Sequence, residues 1–148
     1  MPLHACTAIE KTKNETVLVG KDLDEKKFNL REVVKNNKIT IVNFWETWCE
    51  PCKLELPDLE KLYEKNKDKQ VMLIGVHQFS PLPKVKVMVK DFKLTFPIVQ
   101  DDTKNISKEF AVVGTPTTVV LDSNFKILRR VEGVDIGLVD FVAAQLKK

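Results

Sequence analysis

The chain has 148 residues, 43% hydrophobic and 30% charged, with a formal net charge of +3 at pH 7. This size and balance fit one globular core, so residues 1–148 are read as a single domain. Lysines alternate with acids from Glu60 to Lys69, the pattern of a solvated helix face and not of a nucleic-acid patch. No apolar run approaches the roughly 20 residues needed to span a bilayer.

In chain order, residues 1–30 are polar and poorly periodic apart from Val17-Leu18-Val19, and read as an extended arm, over 1–20, with a short hairpin. Met1-Pro2-Leu3-His4-Ala5-Cys6 has neither a basic n-region nor an apolar h-region, which fits a cytosolic start or a mature or trimmed form. Asn29 can cap a short helix over Leu30 to Lys35. The β-branched run from Ile39 to Trp45 predicts a strand, followed by a helix from about Cys49 to Lys65. Leu56, Leu59, Leu62 and Tyr63 recur on one face of that helix, and Pro57 is expected to kink it.

Val71 to Val76 reads as a central strand buried on both faces. A loop over Ser80 to Pro83 leads to a helix ending near Lys93, and Phe96 to Val99 forms a short strand. A short helix over Thr103 to Phe110 precedes a hairpin, Thr117 to Leu121 paired with Lys126 to Val131. Asp135 is placed to cap a last helix ending at Leu146. Alternating strands and helices imply an α/β fold with a mostly parallel sheet and one antiparallel edge.

Cys49-Glu50-Pro51-Cys52 falls where strand gives way to helix. A cysteine there meets unpaired N–H groups and the positive end of the helix dipole, which favour the thiolate. A second cysteine one turn on can close a disulfide. Pro51 lies in a first turn that needs no N–H from it. Three cysteines are too few for a disulfide scaffold but suffice for one redox pair and one spare, Cys6. Half of a zinc site is the rival reading, its remaining donors drawn from His4, Cys6 and His77.

Val42-Asn43-Phe44-Trp45-Glu46-Thr47-Trp48-Cys49-Glu50-Pro51-Cys52-Lys53-Leu54-Glu55-Leu56-Pro57, then Phe96-Pro97-Ile98-Val99, then Val113 to Asp122 with Gly114-Thr115-Pro116, carry a resemblance from about Phe28 to the C-terminus. In these motifs the chain resembles the TlpA/ResA-like thiol–disulfide oxidoreductases of the thioredoxin superfamily. The extra helix and strand between residues 83 and 100 fit that group better than a minimal thioredoxin.

The resemblance implies a thioredoxin fold, a mixed sheet flanked by helices with a helix–strand insertion. It implies catalysis by Cys49 as nucleophile and Cys52 as resolving thiol, with no cofactor beyond their reversible disulfide. It implies a cis Pro116 against the dithiol, with Thr115 beside the sulfurs and the neighbouring backbone open to an extended substrate. Asn43 stands where ordinary thioredoxins carry an aspartate, and Glu55 is read as the acid that exchanges protons as the thiols cycle. Trp48, Glu50 and Pro51 complete the expected substrate-contacting set; Trp45 is read as core. Glu50, a carboxylate beside Cys49, should raise its thiol pKa and favour a reducing protein. His4 and His77 are read as inert surface histidines.

The expected activity is reduction of protein disulfides by a monomer. The resemblance extends this to extracytoplasmic work on apocytochrome c, with electrons from a membrane reductase and a possible membrane tether on the full-length form. A general cytosolic thioredoxin-like reductant and a non-enzymatic metal- or partner-binding module are the alternatives.

Overall fold

The computed structural model describes residues 16–148. His4, Cys6 and most of the expected arm lie outside the described residues. The elements are β1 (Val19–Lys21), β2 (Lys27–Asn29), α1 (Leu30–Lys35), β3 (Ile39–Phe44), α2 (Glu50–Asn66), β4 (Val71–His77), α3 (Leu82–Asp91), β5 (Ile98–Gln100), α4 (Asn105–Glu109), β6 (Thr117–Asp122), β7 (Ile127–Glu132) and α5 (Leu138–Leu146).

All seven strands form one sheet in the order β2-β1-β5-β4-β3-β6-β7. β3, β4 and β5 run parallel, and β6 and β7 continue antiparallel. The other edge is antiparallel as well, because the β1–β2 hairpin joins β5 through Lys21 and Gln100. A Cβ at position 20 would collide with the Gln100 carbonyl and the Val99 side chain, so Gly20 admits that approach. α3 and β5 form the helix–strand insertion, and β5 adds a strand beside β4.

β3 and β4 are buried almost throughout because helices cover both sheet faces. Ile39, Ile41, Trp45 and Leu73 pack with Leu56, Leu59 and Leu62 of α2 and Val142 of α5. Val42, Phe44, Ile74 and Val76 pack on the opposite face with Leu30, Val34, Ile106 and Phe110. This is the period-two alternation of a strand filling two cores. Each buried leucine of the α2 stripe is worth about 1.5–3 kcal/mol.

Asn29 caps α1 as expected, its side chain accepting from the Glu32 N–H at 3.3 Å. α2 runs on through Pro57, whose ring removes the N–H that would otherwise reach the Lys53 carbonyl. The last helix differs from expectation. Its N-cap is Gly137, without a side-chain cap. Asp135 lies two residues before the cap, where its Oδ1 accepts from the Gly137 N–H at 3.1 Å, and it is held by Arg129, whose Nε and Nη2 donate to its two oxygens at 2.8 and 2.7 Å. That bidentate pair is the stronger interaction and holds the β7–α5 loop.

Candidate active site

Cys49 is the N-cap of α2, in extended backbone conformation, and its Sγ accepts from the Cys52 N–H at 3.3 Å. The two cysteines form a disulfide, with Cα atoms 5.3 Å apart. Glu50 and Pro51 occupy the first turn, where a proline costs no hydrogen bond. The two sulfurs are unequal in access. Cys49 keeps 8% of its surface exposed and Cys52 1%. An incoming group can reach only the first, and that sulfur also sits on the orphan N–H groups and positive dipole end of α2.

Glu50 is exposed and bonds Lys53, Nζ to Oε1 at 3.0 Å. The lysine offsets the carboxylate charge beside Cys49, so the effect expected of Glu50 on the thiol is weakened. Trp45 is fully buried and Trp48 is 58% exposed at the rim, as the sequence suggested for both.

The Thr115–Pro116 peptide bond is cis. Pro116 is buried, and its carbonyl accepts from the Gly133 N–H at 2.8 Å. The Thr115 backbone N–H and carbonyl have no hydrogen-bond partner among the described residues. They border a cleft of about 350 Å³ between Trp48, Phe79 and the Val113–Thr115 segment. An extended polypeptide could pair with this free edge.

Glu55, one turn beyond Cys52, is 5% exposed. Its Oε1 accepts from Asn43 Nδ2 at 3.0 Å and its Oε2 from the Asp135 N–H at 2.8 Å. Burial pushes its carboxyl above the ordinary glutamate value; the two donors only partly oppose this, and the nearby charges of Asp135 and Asp58 add to it. Glutamates are usually solvated at the surface, and burial sets Glu55 apart from them. Asn43 on β3 also donates to Thr118 Oγ1 at 2.9 Å, so one side-chain amide ties β3, β6 and α2 together behind the disulfide.

Several participants escape a reading of the sequence. Glu46 is 5% exposed and accepts from the N–H groups of Gln78, Phe79 and Ser80 and from Ser80 Oγ at 2.6 Å. The one signal for it is a charge placed inside the apolar run that leads to Cys49. His77, expected at the surface, closes β4 at 1% exposure against the edge of Trp45. Burial pushes its pKa down, against the opposing pull of the Glu46 charge. It falls on the core-facing parity of a central strand, which overrides the usual surface preference of histidine.

Comparison with known proteins agrees with this geometry. The AhpC/TSA family matches residues 10–130. Thiol-disulfide oxidoreductase ResA of Bacillus thuringiensis subsp. konkukian is 34% identical over 82% of this chain and 74% of its own. The ResA of Halalkalibacterium halodurans is 34% identical over 75% and 62%. Among solved structures, StoA from Bacillus subtilis superposes with a TM-score of 0.72 at 26% identity, covering 88% of this chain and 96% of that one. A thiol:disulfide interchange protein from Bacteroides sp. gives 0.78 at 26%, covering 90% and 88%. The chain therefore belongs to the AhpC/TSA family and is a thiol–disulfide oxidoreductase of the ResA-like, thioredoxin-fold group.

Proposed function

We propose that the enzyme reduces disulfides in protein substrates, with Cys49 as nucleophile and Cys52 as resolving thiol. The observation that carries this is the unequal access of the two sulfurs at the start of α2. The Cys49 thiolate attacks one substrate sulfur, forming a mixed disulfide and releasing the other as a thiolate. The Cys52 thiolate then attacks Cys49 Sγ. The enzyme disulfide forms, the second substrate thiolate leaves, and two electrons have passed to the substrate. A dithiol donor reverses these steps to restore the enzyme.

Glu55, buried and holding its proton more tightly than an exposed glutamate, is the group we assign to taking up and returning the Cys52 proton. Thr115 and Pro116 line the substrate edge, and Trp48, Glu50 and Pro51 its rim. The cysteine pair carries the electrons, so the reading calls for no organic cofactor or metal. It takes the chain as one domain acting as a monomer. Likeness to the ResA group supports an extracytoplasmic setting, a membrane-borne thiol donor and apocytochrome c as the substrate. Among the described residues no helix is long and apolar enough to cross a membrane.

The test is the reduction potential of the Cys49–Cys52 pair, by equilibration in redox buffers with mass-shift alkylation. A value near about −270 mV supports a reductant, and one near about −120 mV reverses the direction to disulfide donation. Absence of a reversible couple rejects the oxidoreductase role for this pair.

A further inference from the structure

Outside the cysteine pair, the strongest unexplained feature is the burial of Glu46. Its two oxygens take up the backbone N–H groups of three successive residues, Gln78, Phe79 and Ser80, together with the Ser80 hydroxyl. Ser80 Oγ in turn accepts from the Thr47 N–H at 2.8 Å. The loop after β4 is thereby fastened to the segment that carries Trp48 into Cys49. A buried carboxylate is costly unless its lone pairs are filled, and here the loop fills them.

This fastening fixes two exposed aromatic side chains as neighbours. Trp48 is 58% and Phe79 59% exposed, and both line two hollows. One is the cleft beside Thr115. The other is a groove of about 900 Å³ that runs from Lys53 along the inserted helix α3, walled by Pro81, Val87, Met88 and Phe92. Large aromatic surfaces left in water beside a reactive sulfur are unfavourable unless something covers them. The charge beside Phe79 is cationic: Lys104 Nζ lies 4.9 Å from its ring centroid and pairs with no acid among the described residues. Farther along, the groove wall carries one charge of each sign, Lys84 and Asp91.

We propose that Trp48 and Phe79 form a rigid aromatic lip, positioned by Glu46, that selects disulfide-bearing polypeptides presenting a large apolar side chain next to the attacked cysteine and an acidic side chain beyond it. This rests on the protein-disulfide reading above and names its substrate class. Trp48 and Lys53, which flank the Cys49–Cys52 pair in the chain, both line the groove, so it lies beside the sulfur that such a polypeptide must reach for exchange. Glu46 touches no substrate; it acts through the loop.

The experiment uses synthetic peptides closed by one disulfide, with Phe or Ser beside the attacked cysteine and Glu or Lys three positions beyond. kcat and KM are measured with a dithiol regenerating the enzyme. The expected result is a preference of about tenfold in kcat/KM for Phe over Ser, carried by KM, and a smaller, salt-sensitive preference for Glu over Lys. Phe79→Ala, a change at an exposed side chain, should reduce the Phe preference to about twofold or less. Glu46→Gln should lower it as well, by raising KM for the Phe peptide. If that variant does not fold, Ser80→Ala, which removes the 2.6 Å contact to Glu46, takes its place. Equal rates on all peptides, or a full preference retained in Phe79→Ala, overturns the lip. A full preference in the folded Glu46 or Ser80 variant overturns the positioning role. If the wild-type enzyme reduces none of the peptides, it is the protein-disulfide reading that fails instead.

Discussion

Asn43 and Glu55 stand 12 positions apart in the chain and meet through a 3.0 Å hydrogen bond behind the disulfide. An amide on the central strand thus supports a buried carboxyl on the helix that carries the cysteines. The amide cannot titrate, so Glu55 is the titratable member of this pair.

Glu55→Gln removes the titratable proton and its charge. The pH midpoint of thiol alkylation in the reduced enzyme should move down by about half a unit to one unit, since a nearby negative charge no longer opposes the thiolate. Exchange near neutral pH should slow at the same time. An unchanged alkylation profile would return Glu55 to a packing role. Its folded pKa is raised, so the stability associated with the neutral buried carboxyl is complete below the ordinary value of 4.5 and is lost as pH climbs through the raised value. The difference in urea unfolding between wild type and Glu55→Gln, followed upward from pH 4.5, reads that sign directly.

The inequality of the two sulfurs predicts unequal variants. Cys49→Ser should abolish catalysed exchange with a protein disulfide. Cys52→Ser should leave Cys49 able to attack but unable to be released, so a mixed disulfide accumulates and is visible by mass. Trapping by Cys49→Ser instead would reverse the assignment.

His77 gives a pH effect of the opposite sense. Its folded pKa is lowered from 6.5 by burial, so its contribution to stability is present above 6.5 and is lost as pH falls through the depressed value. His77→Leu should flatten the loss of stability on acidification below pH 6.5. Equal slopes for the two proteins would show that the imidazole is not desolvated in solution.

Gly75 on β4 is held by packing and not by conformation. A Cβ there would lie 2.8 Å from Trp45 Nε1, 3.0 Å from Phe96 and 3.1 Å from Ile98. Gly75→Ala should cost about 1–3 kcal/mol in chemical denaturation, as overpacked cores do. A change under half a kilocalorie would mean that the Trp45 ring shifts freely.

The local elements were legible because each carries its own signal. Asn29 announces α1 and the leucine stripe announces the buried face of α2. The unbroken apolar run at 71–76 announces a strand at the centre of the sheet. The cap position of Cys49 follows from spacing and the strand-to-helix change alone. The antiparallel pairing of β1 with β5 was not legible, since the partners are some 80 positions apart and joined through one residue pair, Lys21 and Gln100. Asp135 misled for a related reason. It has the chemistry of a cap, but its carboxylate has a stronger partner in Arg129, which only the folded hairpin brings near.

The sequence by itself pointed to the reaction class, because a dithiol at a helix start is a local pattern of four residues and the motifs around it resemble those of thiol–disulfide oxidoreductases; the spacing alone still admitted a metal site. Tertiary structure alone decided which sulfur is reachable, that Glu55 is buried on Asn43 and the Asp135 N–H, and that Glu46 binds a loop more than 30 positions away. Burial and hydrogen bonding between distant residues are properties of the packed chain, and no local pattern encodes them.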